Sequence, residues 1–250
     1  MQRRKLLTGL AAGAAVAAAA TIRPAVAQAV HPAAYGLLEG LAQALAAART
    51  LRFSVTALID GDTTPALPDI YKLSSSATVL FARPNRLRVK YGAPIDAELI
   101  GEGEKETVFV PRLGAKAALV SGLFGLAPDV SVAHDALILP FIDIMTDNPA
   151  SRFVQPLRTA QVVLTGLPID GTTADVVFLA TPTFSGEIWI GTGDKLPRRA
   201  VGTWAKGLGG QPATASVLYG AWSLDAPASD ADFVPAGLAE AKTVPFADLW

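Results

Sequence analysis

Leu51-Arg52-Phe53-Ser54-Val55-Thr56-Ala57-Leu58-Ile59 and Asn85-Arg86-Leu87-Arg88-Val89-Lys90-Tyr91 are the stretches whose reading decides the fold. In the first, Leu51, Phe53, Val55, Ala57 and Ile59 take one side, against Arg52, Ser54, Thr56 and Leu58. In the second, Leu87, Val89 and Tyr91 oppose Arg86, Arg88 and Lys90. Successive side chains of a strand point to opposite faces, so each stretch predicts a strand with one dry face and one wet one. That pattern belongs to antiparallel sheets rather than to the doubly covered parallel kind.

Working outward, strand texture recurs at 73–81, 97–100, 107–110 and 117–121. After Arg158 it returns at 160–167, 174–180, 184–190, 198–205 and 213–224. Turn chemistry joins these pieces: Asp60-Gly61-Asp62, Gly101-Glu102-Gly103-Glu104, Pro168-Ile169-Asp170-Gly171, Gly191-Thr192-Gly193-Asp194 and 207–212. Helical spacing occurs early, where Ala34, Leu37, Leu38, Leu41, Ala42, Leu45 and Ala48 repeat across 32–49. A second short helix is predicted at 137–145, with Pro140 in its first turn and Asn148-Pro149 as its stop. Many short alternating strands with two or three helices predict a mainly β protein built on a meandering antiparallel sheet. No Ser/Gly linker, charge block or internal repeat divides it, so residues 28–250 are expected to form a single domain.

The first 27 residues carry a different signal. Arg3-Arg4-Lys5 precede an apolar run to Ile22, Arg23-Pro24 interrupt it, and Ala25-Val26-Ala27 offers a small-x-small cleavage site. Arg3-Arg4-Lys5-Leu6-Leu7 fits the twin-arginine export pattern, and the Ala-rich, weakly hydrophobic core suits that route. Cleavage after Ala27 would remove four basic residues and no acid, taking the formal net charge from −1 to −5. A mildly acidic mature chain has no electrostatic footprint for nucleic acid or anionic surfaces, and no membrane span would remain after cleavage. The expected location is the periplasm of a Gram-negative type envelope. With no Cys in the chain, stability must come from packing, not disulfides.

Chemistry-bearing patterns are sparse. His31 lies beside the mature N-terminus, and His134-Asp135 precedes the short helix without a Gly-x-Ser-x-Gly elbow. Two separated histidines and no Cys do not make a zinc site. Asp225, Asp230 and Asp232 lack a calcium-loop pattern and read as a solvated acidic turn. Glu102, Glu104 and Glu106 surround a predicted hairpin tip, where charge serves solubility. Gly207-Leu208-Gly209-Gly210 leads into another strand, not into a helix N-terminus, so it does not cradle phosphate. The expectation is no catalytic residues, no metal and no cofactor. Aromatic residues stand out instead: Phe53, Phe81 and Tyr91 on early strands, and Trp189, Trp204 and Trp222 on late ones.

The run Ala82-Arg83-Pro84-Asn85-Arg86-Leu87-Arg88-Val89 resembles the Arg-Pro-Asn strand signature of the outer-membrane lipoprotein carrier (LolA-like) fold and its relatives. The chain is still more similar to a periplasmic family, domain of unknown function 2092. Leu139-Pro140-Phe141-Ile142-Asp143-Ile144-Met145 with Asn148-Pro149, then Trp189-Ile190, Leu196-Pro197-Arg198-Arg199, Trp222-Ser223-Leu224 and Asp232-Phe233-Val234-Pro235 resemble its elements in order. Two places depart from the pattern. Gly171-Thr172-Thr173-Ala174-Asp175 lacks the Cys and His of relatives, and Gly103-Glu104-Lys105-Glu106-Thr107 matches the carrier turn weakly.

The resemblance implies a strongly curved antiparallel sheet, an incomplete barrel, whose concave face is covered by a few helices. In the carriers that space takes acyl chains and helices form a lid, here Pro140 to Met145. The function expected is a non-enzymatic carrier of a hydrophobic ligand, a lipid or the acyl group of a lipidated protein. Phe53, Val55, Leu87, Val89, Phe141, Ile144 and Trp189 are its candidate lining. The alternatives are a protein-binding envelope sensor or scaffold of the same fold and, last, a hydrolase.

Overall fold

The computed structural model describes residues 29–249 except 60–74, 94–95, 104, 120–144, 146–147, 183 and 205–212. Its elements are α1 (Pro32–Ala47), β1 (Thr50–Ile59), β2 (Ser75–Ala82), β3 (Arg86–Tyr91), β4 (Glu98–Glu102), β5 (Lys105–Val110) and β6 (Ala115–Leu119). They continue with α2 (Pro149–Phe153), β7 (Thr159–Ile169), β8 (Thr172–Ala180), β9 (Phe184–Gly191), β10 (Pro197–Trp204), β11 (Ala213–Leu224) and β12 (Lys242–Thr243).

All 12 strands form one curved, open sheet in the order β12-β6-β5-β4-β3-β2-β1-β11-β10-β9-β8-β7. Neighbours are antiparallel except β12, which joins β6 in parallel. Sequence neighbours pair throughout both halves, and β1 meets β11 where the halves join. The mainly β, curved antiparallel architecture with few helices is therefore the one expected.

Register puts the apolar residues on a common inner face. One row reads Leu51, Phe81, Leu87, Gly101, Glu106, Leu119 across β1 to β6. The next reads Phe53, Val79, Val89, Leu99, Val108, Ala117. In the other half, Ala57, Val217, Ala200, Ile188, Val177 and Val162 align from β1 to β7. Onto this face α1 lays Ala34, Leu38, Leu41, Ala42 and Leu45, all buried in the same cluster. It packs beside α2, β7 and β8.

The Arg-Pro-Asn turn between β2 and β3 closes the far end of α1. Arg83 Nε donates to the Ala48 carbonyl at 2.9 Å and Nη2 to the Leu45 carbonyl at 3.0 Å. Helix ends leave such carbonyls without intrahelical donors, and a cation is favoured at the negative end of the dipole. At the opposite end, Val30 pairs with Ala160 beside the β7 edge and the His31 amide donates to the Ala160 carbonyl, so His31 is tied down.

Several expectations are corrected. Asn148-Pro149, expected as a helix stop, starts α2. Asn148 accepts from the Ser151 amide as N-cap and Pro149 occupies the first turn, where a missing N–H costs nothing. The helix expected at 137–145, His134, Glu104 and 207–210 lie outside the described residues, Met145 apart. Glu106 is not at a tip. It sits one residue inside β5, faces inward with Val108 and Val110, and is 1% exposed.

The acidic turn is likewise more than solvated charge. Arg49 N donates to Asp225, Arg86 pairs with Asp230, and Arg88 Nη1 donates to the Asp232 carbonyl at 3.0 Å. Phe233 is buried beneath the Arg86 guanidinium. The chain then crosses the outer face, where Lys116 Nζ donates to the Leu238 carbonyl, and ends its path as β12 on the β6 edge. This C-terminal strap caps an edge that would otherwise offer unpaired backbone groups.

Candidate functional site

The inner face is the candidate site. Phe53, Val55, Leu87 and Val89 come together there, none more than 3% exposed, in a cluster shared with α1. A displaced register assembles its aromatic part. Between Arg52 and Ser54 the β1–β11 pairing slips, because β11 carries an extra residue at Ala221-Trp222. Such bulges turn a strand and re-aim a side chain. Ala221 takes φ +49°, and the Trp222 ring stacks on Phe53 at 4.4 Å between centroids. Tyr219 lies 6.2 Å from Trp222 and 6.4 Å from Phe53. The Trp222 indole N–H donates to the Pro197 carbonyl at 2.9 Å, so the ring's one polar atom is satisfied.

Among the described residues, two buried polar side chains reach this largely apolar surface: Tyr91, in register with Ala77 and, through it, Val55, and Glu106, in register with Gly101 and Leu119. A broad apolar lining with few polar groups is the composition of a small-molecule site. Sequence reading missed Glu106 because its neighbours Glu102 and Glu104 share the turn. Its alternation with Val108 and Val110 was the available signal.

Trp189 belongs to the other side. It is in register with Val176 and Arg199, while its neighbours Ile188 and Ile190 point inward. The Arg199 guanidinium lies 5.2 Å from the Trp189 ring centroid. Trp189 Nε1 is buried without a hydrogen-bond partner among the described residues. Its assignment to the inner lining is therefore corrected: an aromatic on a late strand was counted without its parity. Phe141 and Ile144 lie outside the described residues.

Trp189 and Val176 lie instead in an outer belt with Leu164 and Leu218, which are 51% and 43% exposed. Among the described residues no three His, Asp or Glu side chains gather as a metal would require.

A curved, open antiparallel β sheet with an apolar inner face and a helix laid on it defines the structural class of this chain. Within that class, the chain belongs to the family described as predicted periplasmic protein (DUF2092), whose model matches residues 34–247. It is a periplasmic protein. No curated protein matches it.

Among solved structures it is similar to the Mycobacterium tuberculosis lipoprotein LppX, at 12% identity and TM-score 0.48, covering 79% of this chain and 98% of that one. It is similar also to the LolA superfamily protein NE2245 of Nitrosomonas europaea, at 13% identity and TM-score 0.35, covering 81% and 97%. A third similar structure is the Pseudomonas aeruginosa MucA/MucB complex, at 15% identity and TM-score 0.44. The match covers 85% of this chain and 63% of that one.

Proposed function

We propose that this protein is a non-enzymatic periplasmic carrier that takes a hydrophobic ligand, a lipid or a lipidated protein's acyl chain, on its inner face. The reading treats 1–27 as a removable export signal and 28–250 as one working unit. One observation carries it: the inner rows are apolar across β1, β2, β3 and β4 and largely so beyond, and among the described residues Tyr91 and Glu106 are the buried polar side chains on them. The 16-residue α1 is about 24 Å long, whereas 12 strands span about 50 Å. An inner face of that breadth is more than one helix needs for its own packing. Phe53, Val55, Leu87 and Val89 are proposed as lining, and the segment containing Phe141 and Ile144 as its cover.

Delipidated protein is expected to take up a dansylated fatty acid saturably and to lose it to palmitate. Each methylene contributes about 0.8 kcal/mol, so shortening the competitor by two carbons weakens competition about fifteenfold. Folded protein that takes up no fatty acid, and that emerges from the periplasm without lipid in native mass spectrometry, would sink the carrier reading.

A second reading, a protein-binding envelope scaffold, is favoured by the exposed Leu164 and Leu218 of the outer face, with Trp189 between their strands. Site-specific photo-cross-linking from position 218 would then give one defined adduct while fatty-acid uptake stays absent.

A further inference from the structure

The outer face carries a second, chemically opposite feature. An open groove of about 480 Å³ lies over β1, β2 and β3, between the strained Ala221 of β11 and Asp232 of the C-terminal strap. Its apolar floor is Leu80, and Ser54 and Thr78 add hydroxyls. Arg52, Arg88 and Lys90 stand around them.

Register explains the convergence. Arg52, Leu80 and Arg88 share one cross-strand row, and Ser54, Thr78 and Lys90 the next. Arg52 of β1 and Arg88 and Lys90 of β3 therefore flank the uncharged Leu80 and Thr78 of β2 on one face, and three cations gathered this way repel one another unless an anion offsets them.

The anions present offset it only in part. Glu98, 6% exposed, accepts from Arg88 Nε at 2.7 Å, and the Asp232 carboxylate stands 4.0 Å from Arg52 Nη2. The Asp232 carboxylate is itself engaged by the Ser229 amide and hydroxyl. Arg88 Nη1 is held by the Asp232 backbone carbonyl. Among the described residues, Lys90 Nζ, Ser54 Oγ and Thr78 Oγ1 make no hydrogen bond. Arg88 is thus fixed as a preorganised donor, beside an ammonium and two hydroxyls that no described residue engages.

The groove's far wall is the β11 bulge. Ala221 holds φ +49°, a left-handed conformation costly for any residue with a Cβ. Such strain concentrates at ligand sites, where the surroundings over-determine it.

We propose that this groove binds a phosphoryl group, the anion whose several oxygens match two guanidinium groups, an ammonium and hydroxyls at once. The volume leaves room for the organic part of a phosphoester, whether soluble or a lipid headgroup. The site is separate from the inner face, and fatty-acid uptake is expected to be the same with or without it.

The test titrates the isotopically labelled exported chain with inorganic phosphate by NMR. In a second arm the protein is sedimented with phosphatidylcholine vesicles containing one-third phosphatidylglycerol. Saturable shifts at 52–54, 78–80 and 88–90 are expected, with affinity falling roughly tenfold in Lys90→Gln and again in Arg52→Gln. Lys105→Gln, at the exposed start of β5, is expected to change nothing. Phosphate shifts without pelleting mark a soluble phosphoester. Pelleting that depends on Lys90 and Arg52 marks a headgroup. Absence of both, or binding that survives both substitutions, overturns the proposal. Loss of fatty-acid uptake in wild type with phosphate binding intact refutes the carrier reading alone.

Discussion

Replacing Arg83 by Met tests whether the Arg-Pro-Asn turn exists to hold the helix that covers the inner face. Met keeps the aliphatic stem and its packing beside the Phe81 ring, over which the guanidinium now lies at 5.5 Å. What it removes are the donors to the Leu45 and Ala48 carbonyls at the end of α1. Hydrogen bonds from a charged donor contribute roughly 1.5–3 kcal/mol each, and a cation at a helix C-terminus about 0.3–1 kcal/mol more. Arg83 is half-buried, so water reaches part of what is vacated, and a loss of about 2–4 kcal/mol is expected.

With a urea dependence of about 2–3 kcal/mol per molar for a chain of this size, the unfolding midpoint falls by about 1 M. Hydrogen exchange separates this from a general defect: amides in the last turns of α1 lose protection while those of β2 and β3 keep theirs. Arg83→Lys, which retains charge but cannot fork to two carbonyls, recovers less than half of the loss. A midpoint unmoved by Arg83→Met, with α1 protection intact, would refute the capping role and with it the reason offered for the motif.

Three further outcomes follow from the packing. A methyl on Gly186 would lie 2.2 Å from the Val201 carbonyl oxygen and 2.5 Å from Gly202 Cα, so Gly186→Ala should cost about 2–3 kcal/mol. The same change at Gly36, where nothing lies within 4 Å, should stabilise α1 by about 0.5–1 kcal/mol, both read from urea midpoints. Leu41→Ala, emptying a fully buried position of α1, is expected to cost about 2–5 kcal/mol by the same assay. Burial pushes the Asp194 carboxyl up, but Arg198 and the Leu196 amide outweigh this and hold it below its ordinary 3.8. A depressed folded-state value means the contribution is whole above 3.8 and vanishes as pH falls through the folded value. The midpoint gap between wild type and Asp194→Asn should therefore close on acidification below that point, and a gap constant with pH would refute the pairing.

Alternation made much of this sheet readable. Residues 51–59, 85–91 and 174–180 are β1, β3 and β8 to within a residue or two, because one wet and one dry face leave a period of two in the chain. The same rule placed Phe53, Val55, Leu87 and Val89 on one face. What alternation does not encode is the parity of one strand relative to another, which only register supplies. Trp189 was therefore assigned to the inner lining by residue type while its strand turns it outward. The bulge at Ala221-Trp222 left no signal in the sequence either. Nothing in Tyr219-Gly220-Ala221-Trp222 announces an extra residue, since its partner is 168 positions away at Phe53. Short elements escape for a related reason: β12 has two residues and exists because Gly114 and Lys116 offer carbonyls to the Lys242 and Val244 amides.

The two faces then follow from one constraint. An inner surface this apolar obliges every second residue of β1, β2 and β3 to point outward, and there the chain places Arg52, Arg86, Arg88 and Lys90. The C-terminal strap engages some of that charge through Asp230, Asp232 and the Asp232 carbonyl, and in crossing to β6 it also seals an edge. Solubility alone would be served by scattered charges of both signs. Clustered cations partly held by a strap, beside a strained Ala221, are instead a second chemical environment. A molecule with an acyl chain and a phosphorylated headgroup presents both chemistries, but the two sites lie on opposite faces of one sheet. Unless such a ligand wraps a strand edge, the sites are filled by different molecules, and binding to one should leave the affinity of the other unchanged.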